Sequence, residues 1–376
     1  MQKKLIALAL ASAFAAPAFA ATSNVDISGQ LNLSVDYLDS DTVTNGGNVG
    51  VSSNASNIIF KGSEDLGGGL KALWQIQTYF STGGTGNTDS SNGGAADGVS
   101  SGNTFVGLGG GFGTVILGKN ESPVKLLSRK TDFFGNQIGD SRNFTAEGSL
   151  TGAGFDTRPN NQVAYTTPNM SGFAGTVAYF SNMNTSGNVG GTAVGTVVTS
   201  ATSGDATDKS VDGWAAAGTY ENGPLMLGLG YEKHNLTNAG LATSDEKAWR
   251  LAAGYAIGNF KVTGLYQKAT DIGGVNSADR KVWGLGAGYN MGNILLKAQY
   301  YDAGDLNSVS NTGAQMYVVG ADYSLSKRTK LQLAYASTDN DSGAKFSAFG
   351  GGHGDNPGTV AGGNPTGFSM GVVHNF

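Results

Sequence analysis

The sequence predicts an all-β fold, a 16-stranded antiparallel transmembrane barrel with one connection folded inward. Three observations lead there: strict period-two alternation, a repeated two-strand unit, and about forty residues between two strands that lack strand alternation. In the first strand Val25, Ile27, Gly29, Leu31, Leu33, Val35 and Tyr37 alternate with Asp26, Ser28, Gln30, Asn32, Ser34 and Asp36. One face is therefore apolar and the other wet. The run exceeds the usual soluble strand of about 5–6 residues and suits a tilted strand that crosses a bilayer.

The ends and the composition set the compartment. Lys3 and Lys4 precede an apolar run from Leu5 to Ala16, and Ala18-Phe19-Ala20 reads as a cleavage site, so residues 1–20 are expected to be a removed signal peptide. Residues 21–376 then form a single barrel domain. Without Lys3 and Lys4, 21 basic residues stand against 28 acidic ones, a net charge of −7 that gives no support to nucleic-acid binding. There are no cysteines, so no disulfide holds this exported chain. Glycine supplies 61 of 376 residues, more than twice the usual share of about 7%, and is interleaved with Tyr, Val and Leu. No apolar run after the signal peptide approaches the length of a spanning helix, so membrane insertion requires a closed barrel.

Further along, Asn54 to Gly62 and the strand carrying Leu70, Ala72, Trp74, Ile76 and Phe80 flank a turn at Ser63–Gly69. Asn103 to Leu108 pairs with Thr114 to Lys119, and Asn160 to Thr167 with Phe173 to Phe180. Polar loops are expected over Ser81–Gly102 and Ser181–Ser210. In the second half Trp214, Trp249, Trp283 and Tyr317 open units 35, 34 and 34 residues apart, each with tyrosines at fixed offsets such as Tyr220 and Tyr231. A helical repeat of similar length is excluded by the alternation of Leu225, Leu227, Leu229 and Tyr231 and by the glycine density. Seven hairpins give 14 strands; the first strand and Thr366 to Phe376 make 16. Short turns on one side and mostly long loops on the other are the transmembrane barrel pattern, and this strand number leaves a water-filled lumen.

The long connection, about residues 120–158, is expected to enter that lumen. Ser122-Pro123 reads as an N-cap followed by proline at the first helical position, ahead of Val124-Lys125-Leu126-Leu127. Its Phe, Leu and Ile residues demand packing, which argues against disorder.

Catalytic and metal chemistry find little support. Gly98-Val99-Ser100-Ser101-Gly102 has the letters of a nucleophile elbow without strand-turn-helix context, and Gly113 to Asn120 misses a phosphate loop by its last residue. The calcium-like fragments Asp339–Gly343 and Gly351–Asp355 read as solvated outer loops, and His234, His353 and His374 have no ligand spacing. No enzyme activity, metal or cofactor is expected.

Several segments resemble the general porins of Gram-negative bacteria, most closely the β-proteobacterial group. They are Phe60 to Ala72, Phe105-Val106-Gly107-Leu108 with Phe112 to Val115 and Leu117-Gly118-Lys119, Arg158-Pro159-Asn160-Asn161 leading to Val163-Ala164-Tyr165, and the terminal Gly371 to Phe376. The resemblance covers the whole mature chain. It implies a homotrimer in the outer membrane, a channel for passive diffusion of small hydrophilic solutes and ions, and an inward loop forming the constriction. It also implies surrounding outer-membrane lipid and lipopolysaccharide, and recognition of Phe376 as an assembly signal by the barrel-assembly machinery. Lys119 and Arg158 match basic pore-wall positions, and Lys61 joins them from an inward place on its strand. Asp132 and Asp140 are expected to face them from the loop, which also carries Glu121, Arg129 and Arg142. Other inward charges, such as Arg250, Lys261, Lys297 and Asp322, are expected to set only a diffuse field. A barrel acting structurally or in adhesion through its outer loops is the alternative.

Overall fold

The computed structural model describes residues 24–41, 47–80, 99–150, 154–183, 185–188, 211–237, 243–307 and 309–376. The expected signal peptide and most of both polar loops lie outside them. The strands are β1 (Asn24–Asp39), β2 (Asn48–Ser53), β3 (Asn57–Gly67), β4 (Leu70–Tyr79), β5 (Thr104–Gly110), β6 (Gly113–Lys119), β7 (Gly148–Leu150), β8 (Gln162–Thr166), β9 (Phe173–Met183) and β10 (Thr185–Asn188). The second half adds β11 (Val211–Asn222), β12 (Leu225–Asn235), β13 (Glu246–Ile257), β14 (Phe260–Thr270), β15 (Arg280–Met291), β16 (Ile294–Ala303), β17 (Ala314–Ser324), β18 (Thr329–Asn340) and β19 (Thr366–Asn375).

The barrel is antiparallel throughout and closed by β1 on β19, from Gln30 opposite Asn375 to Asp39 opposite Thr366. Strands β2 and β3 pair with successive parts of β1 and form one barrel strand, interrupted at Asn54–Ser56 where Ala55 takes φ 55°. Strands β7 and β10 pair only with each other. Nineteen strands, less one for the split and two for the outlying pair, leave the expected sixteen. The sequence reading missed β2, whose Asn48-Val49-Gly50-Val51-Ser52-Ser53 is short, and placed the first hairpin turn too early. Strand β3 continues to Gly67, and Gly67, Gly68 and Gly69 all take positive φ there, which is glycine's province.

The alternation is inside out relative to a soluble protein. Val25, Ile27, Leu31, Val35 and Tyr37 are exposed, while Asn32, Ser34 and Asp36 are buried. An outer apolar row facing lipid and an inner polar row facing the lumen explain this pattern. Aromatics on the outer row form a belt near the long-loop end, with Trp214 and Tyr231 centroids 4.9 Å apart and Tyr231 and Trp249 4.5 Å apart. A second belt near the short turns pairs Phe173 with Tyr220 and Phe260 with Tyr289.

The packed core is not in the wall but in the lumen. Phe134, Ile138 and Phe144 of the long connection cluster with Tyr301, Met316 and Val318 of the wall and with Phe346 and Phe349 from the β18–β19 connection. Burying each large apolar side chain contributes about 1.5–3 kcal/mol. The reading of Gly351–Asp355 as a solvated outer loop is corrected in part, because His353 is buried against Asp36, and just before it Ala344, Phe346, Ala348 and Phe349 fold inward onto the apolar surface of the long connection.

Val319 lies mid-strand on the outer row, 54% exposed. Replacing it by arginine should lower the unfolding free energy in lipid vesicles by about 2–4 kcal/mol. An unchanged denaturant midpoint would show that this row does not face the bilayer core.

Candidate functional site

Of the long connection, residues 120–150 and 154–158 are described, and they lie within the barrel. Helix α1 (Pro123–Thr131) opens as expected: Ser122 Oγ accepts the Lys125 amide at 3.1 Å and Pro123 occupies the first turn. Its inner side rests on the wall where Gly228 and Gly230 leave room. A β-carbon at either would come within 2.9 Å of Leu127. A short helix, α2 (Arg142–Thr145), follows farther along.

Arg250 on β13 is the centre of the attachment. Its NH1 donates to Asp156 Oδ1 at 2.9 Å and to the Val124 carbonyl at 3.0 Å. Its NH2 donates to Asp156 Oδ2 at 3.0 Å and the Thr145 carbonyl at 3.1 Å, while Nε donates to Gln267. Every nitrogen of this fully buried guanidinium is engaged. Asp156 also accepts Ser128 Oγ at 2.7 Å and the Thr145 hydroxyl. The Arg250 charge and these hydrogen bonds hold the Asp156 carboxyl below its usual range against the opposing effect of burial. One side chain therefore ties the beginning, middle and end of the connection to the wall.

Two more wall cations extend the attachment. Arg280 pairs with Glu147, donates to the Thr312 carbonyl at 3.0 Å and lies over the Phe346 ring. Burial pushes the Glu147 carboxyl up, against the pull of Arg280. Lys297 pairs with Asp322 at 2.7 Å, donates to the Phe133 carbonyl at 3.1 Å and stands 4.5 Å from the Phe134 ring centroid. Gln299 adds a bond to the Gly139 carbonyl at 2.6 Å. The expectation that Arg250 and Lys297 set only a diffuse field is corrected, because both are spent on holding the connection. Arg280 escaped the sequence reading altogether, since a charge at a strand end gives no sign of its partner.

The predicted loop charges form a cluster of their own. Asp140 is fully buried and accepts Arg129 NH1 at 3.1 Å, Arg142 NH2 at 2.8 Å and the Asn136 amide at 2.7 Å. Asp132 accepts Ser141 Oγ at 2.9 Å and the Phe134 amide at 2.8 Å, with Arg129 at 4.0 Å. Burial, aided by the Asp140 charge, pushes its carboxyl up to about 6.

The wall residues separate. Arg158 lies inside and buried, donating to Asn103 at 2.6 Å, Tyr79 at 3.0 Å and Glu121 at 3.2 Å. Glu121 also pairs with Lys125 at 3.3 Å. Lys61 sits on the inner row opposite Asp26 and Gln75, exposed. Lys119 pairs with Thr104 at the end of β6, just beyond Gly118, which takes φ 139° and interrupts the extended backbone there. Its ammonium then reaches the carbonyls of Ser100 and Ser101 at 3.5 and 3.2 Å. The expected opposition of Lys119 and Arg158 to Asp132 and Asp140 is corrected. Those carboxylates are neutralised by arginines of the same connection, and Arg158 is matched by Glu121.

Replacing Arg250 by methionine leaves Asp156 buried without its cation, a loss of about 3–5 kcal/mol. The connection should detach from the wall while the closing seam persists. Single-channel current should become noisier and on average larger, with heat-modifiable migration retained. Adding Asp156→Leu should restore steady current in part. A quiet, unchanged R250M channel would contradict the anchoring role.

The sequence matches the family described as Gram-negative porin over residues 7–343. It is 32% identical to outer membrane porin protein 32 of Delftia acidovorans over 73% of this chain and 72% of that one. It is also 29% identical to the major outer membrane protein P.IB of Neisseria meningitidis serogroup B over 68% of this chain and 66% of the other. Among solved structures, the anion-selective porin from Comamonas acidovorans superposes with a TM-score of 0.70 at 26% identity, covering 94% of this chain and all of that one. OmpT of Vibrio cholerae, solved in trimer form, shares the fold at 16% identity with a TM-score of 0.63, covering 94% of this chain and 99% of that one. With a closed sixteen-stranded wall and a connection anchored in its lumen, the chain belongs to the Gram-negative porin family and is an outer-membrane channel for passive diffusion of solutes.

Proposed function

We propose that this channel works as a homotrimer with a mild preference for anions, its bore set by residues 120–158. The observation that carries the selectivity is the state of the charges. Asp132 and Asp140 are held by Arg129 and Arg142 inside the connection. Lys261, by contrast, is exposed on the inner row between the uncharged cross-strand neighbours Ala256 and Gly288. It has no ion-pair partner within 4.0 Å among the described residues, and it lies 5.7 Å from the Phe133 ring centroid at the edge of the connection. Lys61 adds a second exposed inner cation. At a narrowing, such charges act within a Debye length of about 8 Å and salt screens them only in part. The porin from Comamonas acidovorans, which is described as anion-selective, has the same sign.

Support for the trimer comes from the outer face. The aromatic belt near the long loops runs from Tyr179 through Trp214, Tyr231, Trp249, Tyr266, Trp283, Tyr300 and Tyr317. On β2 to β8 the outer row is mainly aliphatic, with Val49, Val51, Val106, Leu117 and Val163 exposed and aromatics only at Phe60 and Trp74 among those strands' central positions. Aromatic belts mark lipid interfaces, so their interruption suits a subunit contact.

Phe376 is proposed as the assembly signal. Its backbone closes the seam, with amide and carbonyl each 3.1 Å from their Gly29 partners, and its ring covers that glycine.

In planar bilayers the protein should insert in groups of three equal conductance steps, and its reversal potential in a salt gradient should have the anionic sign. The K61Q/K261Q variant should shift that potential toward cations. A shift within the scatter of wild-type preparations would remove these lysines from the account.

Deleting Phe376 should leave export intact and cut the amount of heat-modifiable protein in the outer membrane several-fold. Normal assembly would refute the assembly role.

A further inference from the structure

Phe133 is fixed at both ends of its own backbone unit. Its amide donates to Gln299 Oε1 at 3.2 Å, and its carbonyl accepts Lys297 Nζ at 3.1 Å. The side chain lies against β15, where Gly286 and Gly288 share the inner row. A β-carbon at these two positions would come within 2.9 and 2.6 Å of the ring. Two glycines thus seat one ring, and the neighbouring strand β16 holds the backbone that carries it. Yet the ring is only half-buried, whereas the adjacent Phe134 is wholly buried in the luminal core. A ring needed for packing alone would be covered as Phe134 is.

Lys261 Nζ stands over the Phe133 ring, 5.7 Å from its centroid. Attraction between a cation and a ring extends to about 6 Å, so this contact is a weak one and leaves both groups open to a third partner. The acids on this part of the wall are already matched. Asp322 holds Lys297 at 2.7 Å and Lys330 at 2.9 Å, and Glu221 holds Lys130 at 2.5 Å. The cross-strand neighbours of Lys261 are Ala256 and Gly288. Leu295 lies beyond Gly288, with Cδ1 3.2 Å from where a β-carbon there would stand. What this stretch of wall offers a solute is a fixed aromatic ring, aliphatic carbon and one ammonium.

We propose that Phe133 and Lys261 form a binding site for aromatic carboxylates inside the channel, the carboxylate on the Lys261 ammonium and the solute's ring packed on Phe133. The ammonium–carboxylate bond is charge-assisted. Two rings in an offset or edge-to-face arrangement, with centroids about 4.5–7 Å apart, attract beyond the area that they bury. Benzoate is rigid and carries its carboxylate directly on its ring, so it can make both contacts at once. An aliphatic carboxylate makes only the first, and an aromatic ammonium is repelled by Lys261. This inference deepens the proposed anion preference and rests on it in one respect, that Lys261 faces the permeation path.

The test is block of the chloride current through the whole protein in planar bilayers at neutral pH. The probes are benzoate, cyclohexanecarboxylate and benzylammonium. Benzoate should halve the current at a concentration at least three-fold below that needed for cyclohexanecarboxylate, and benzylammonium should not block. Equal block by the two carboxylates would overturn the role of the ring, and equal block by benzylammonium would overturn that of the cation. Phe133→Leu should raise the benzoate concentration to that of cyclohexanecarboxylate, and an undiminished preference in this variant would overturn the site. Should Phe133→Leu fail to assemble, Lys261→Gln carries the test, because unaltered benzoate block in that variant counts equally against the site. Lys261→Gln also separates the two readings. Loss of benzoate block with an unmoved chloride reversal potential would support the site and remove the proposed selectivity. A moved potential with benzoate block intact would do the reverse.

Discussion

Everything in this molecule follows from the need to pair each backbone amide and carbonyl where no water is available. A bilayer leaves no tolerable edge, so β1 must find β19 and the sheet must close. Closure at sixteen strands makes a cylinder too wide for its own inner side chains to fill. The inner row is consequently polar, and the apolar residues that would build a core in a soluble protein are on the outside. What core exists is brought in by the connection after β6 and by the turn of chain before β19.

A connection placed in water beside a polar wall cannot be held by apolar packing alone. It is held by buried charge, with Arg250 on Asp156, Arg280 on Glu147, and Lys297 on Asp322 and the Phe133 carbonyl. Buried ion pairs add little net stability when both partners are compared with apolar replacements, yet breaking one is expensive. Their value here is positional. They fix where the connection stands in the bore to the precision of a hydrogen bond. The acids and arginines within the connection then neutralise one another, leaving the wall lysines to dominate the permeation path under our proposed reading.

The barrel was legible because a bilayer imposes the period-two rule on every strand, and the repeat of Trp214, Trp249, Trp283 and Tyr317 fixed the hairpin phase. The inward connection was legible from its length, its Ser122-Pro123 cap and its phenylalanines. The anchors were not. Alternation says that Arg250 faces inward but not that Asp156, distant in sequence, arrives beside it. Nor does the sequence show that Lys119, beyond the irregular backbone at Gly118, ends with its ammonium on the carbonyls of Ser100 and Ser101. Strand β2 was missed because the break at Asn54–Ser56 interrupts the alternation that reveals a strand.

The contacts that seat the connection have a consequence for the order of events during assembly. Their partners are far apart along the chain: 105 residues separate Arg250 from Thr145, 164 separate Lys297 from Phe133, and 207 separate Gly350 from Asn143. Contacts so remote are entropically costly to form early and are rewarded only when the intervening chain is in place. A polypeptide that has completed its first eight barrel strands therefore possesses the connection but not Arg250, Arg280 or Lys297, which anchor it. Narrowing of the bore is a late event, tied to the arrival of the last hairpins.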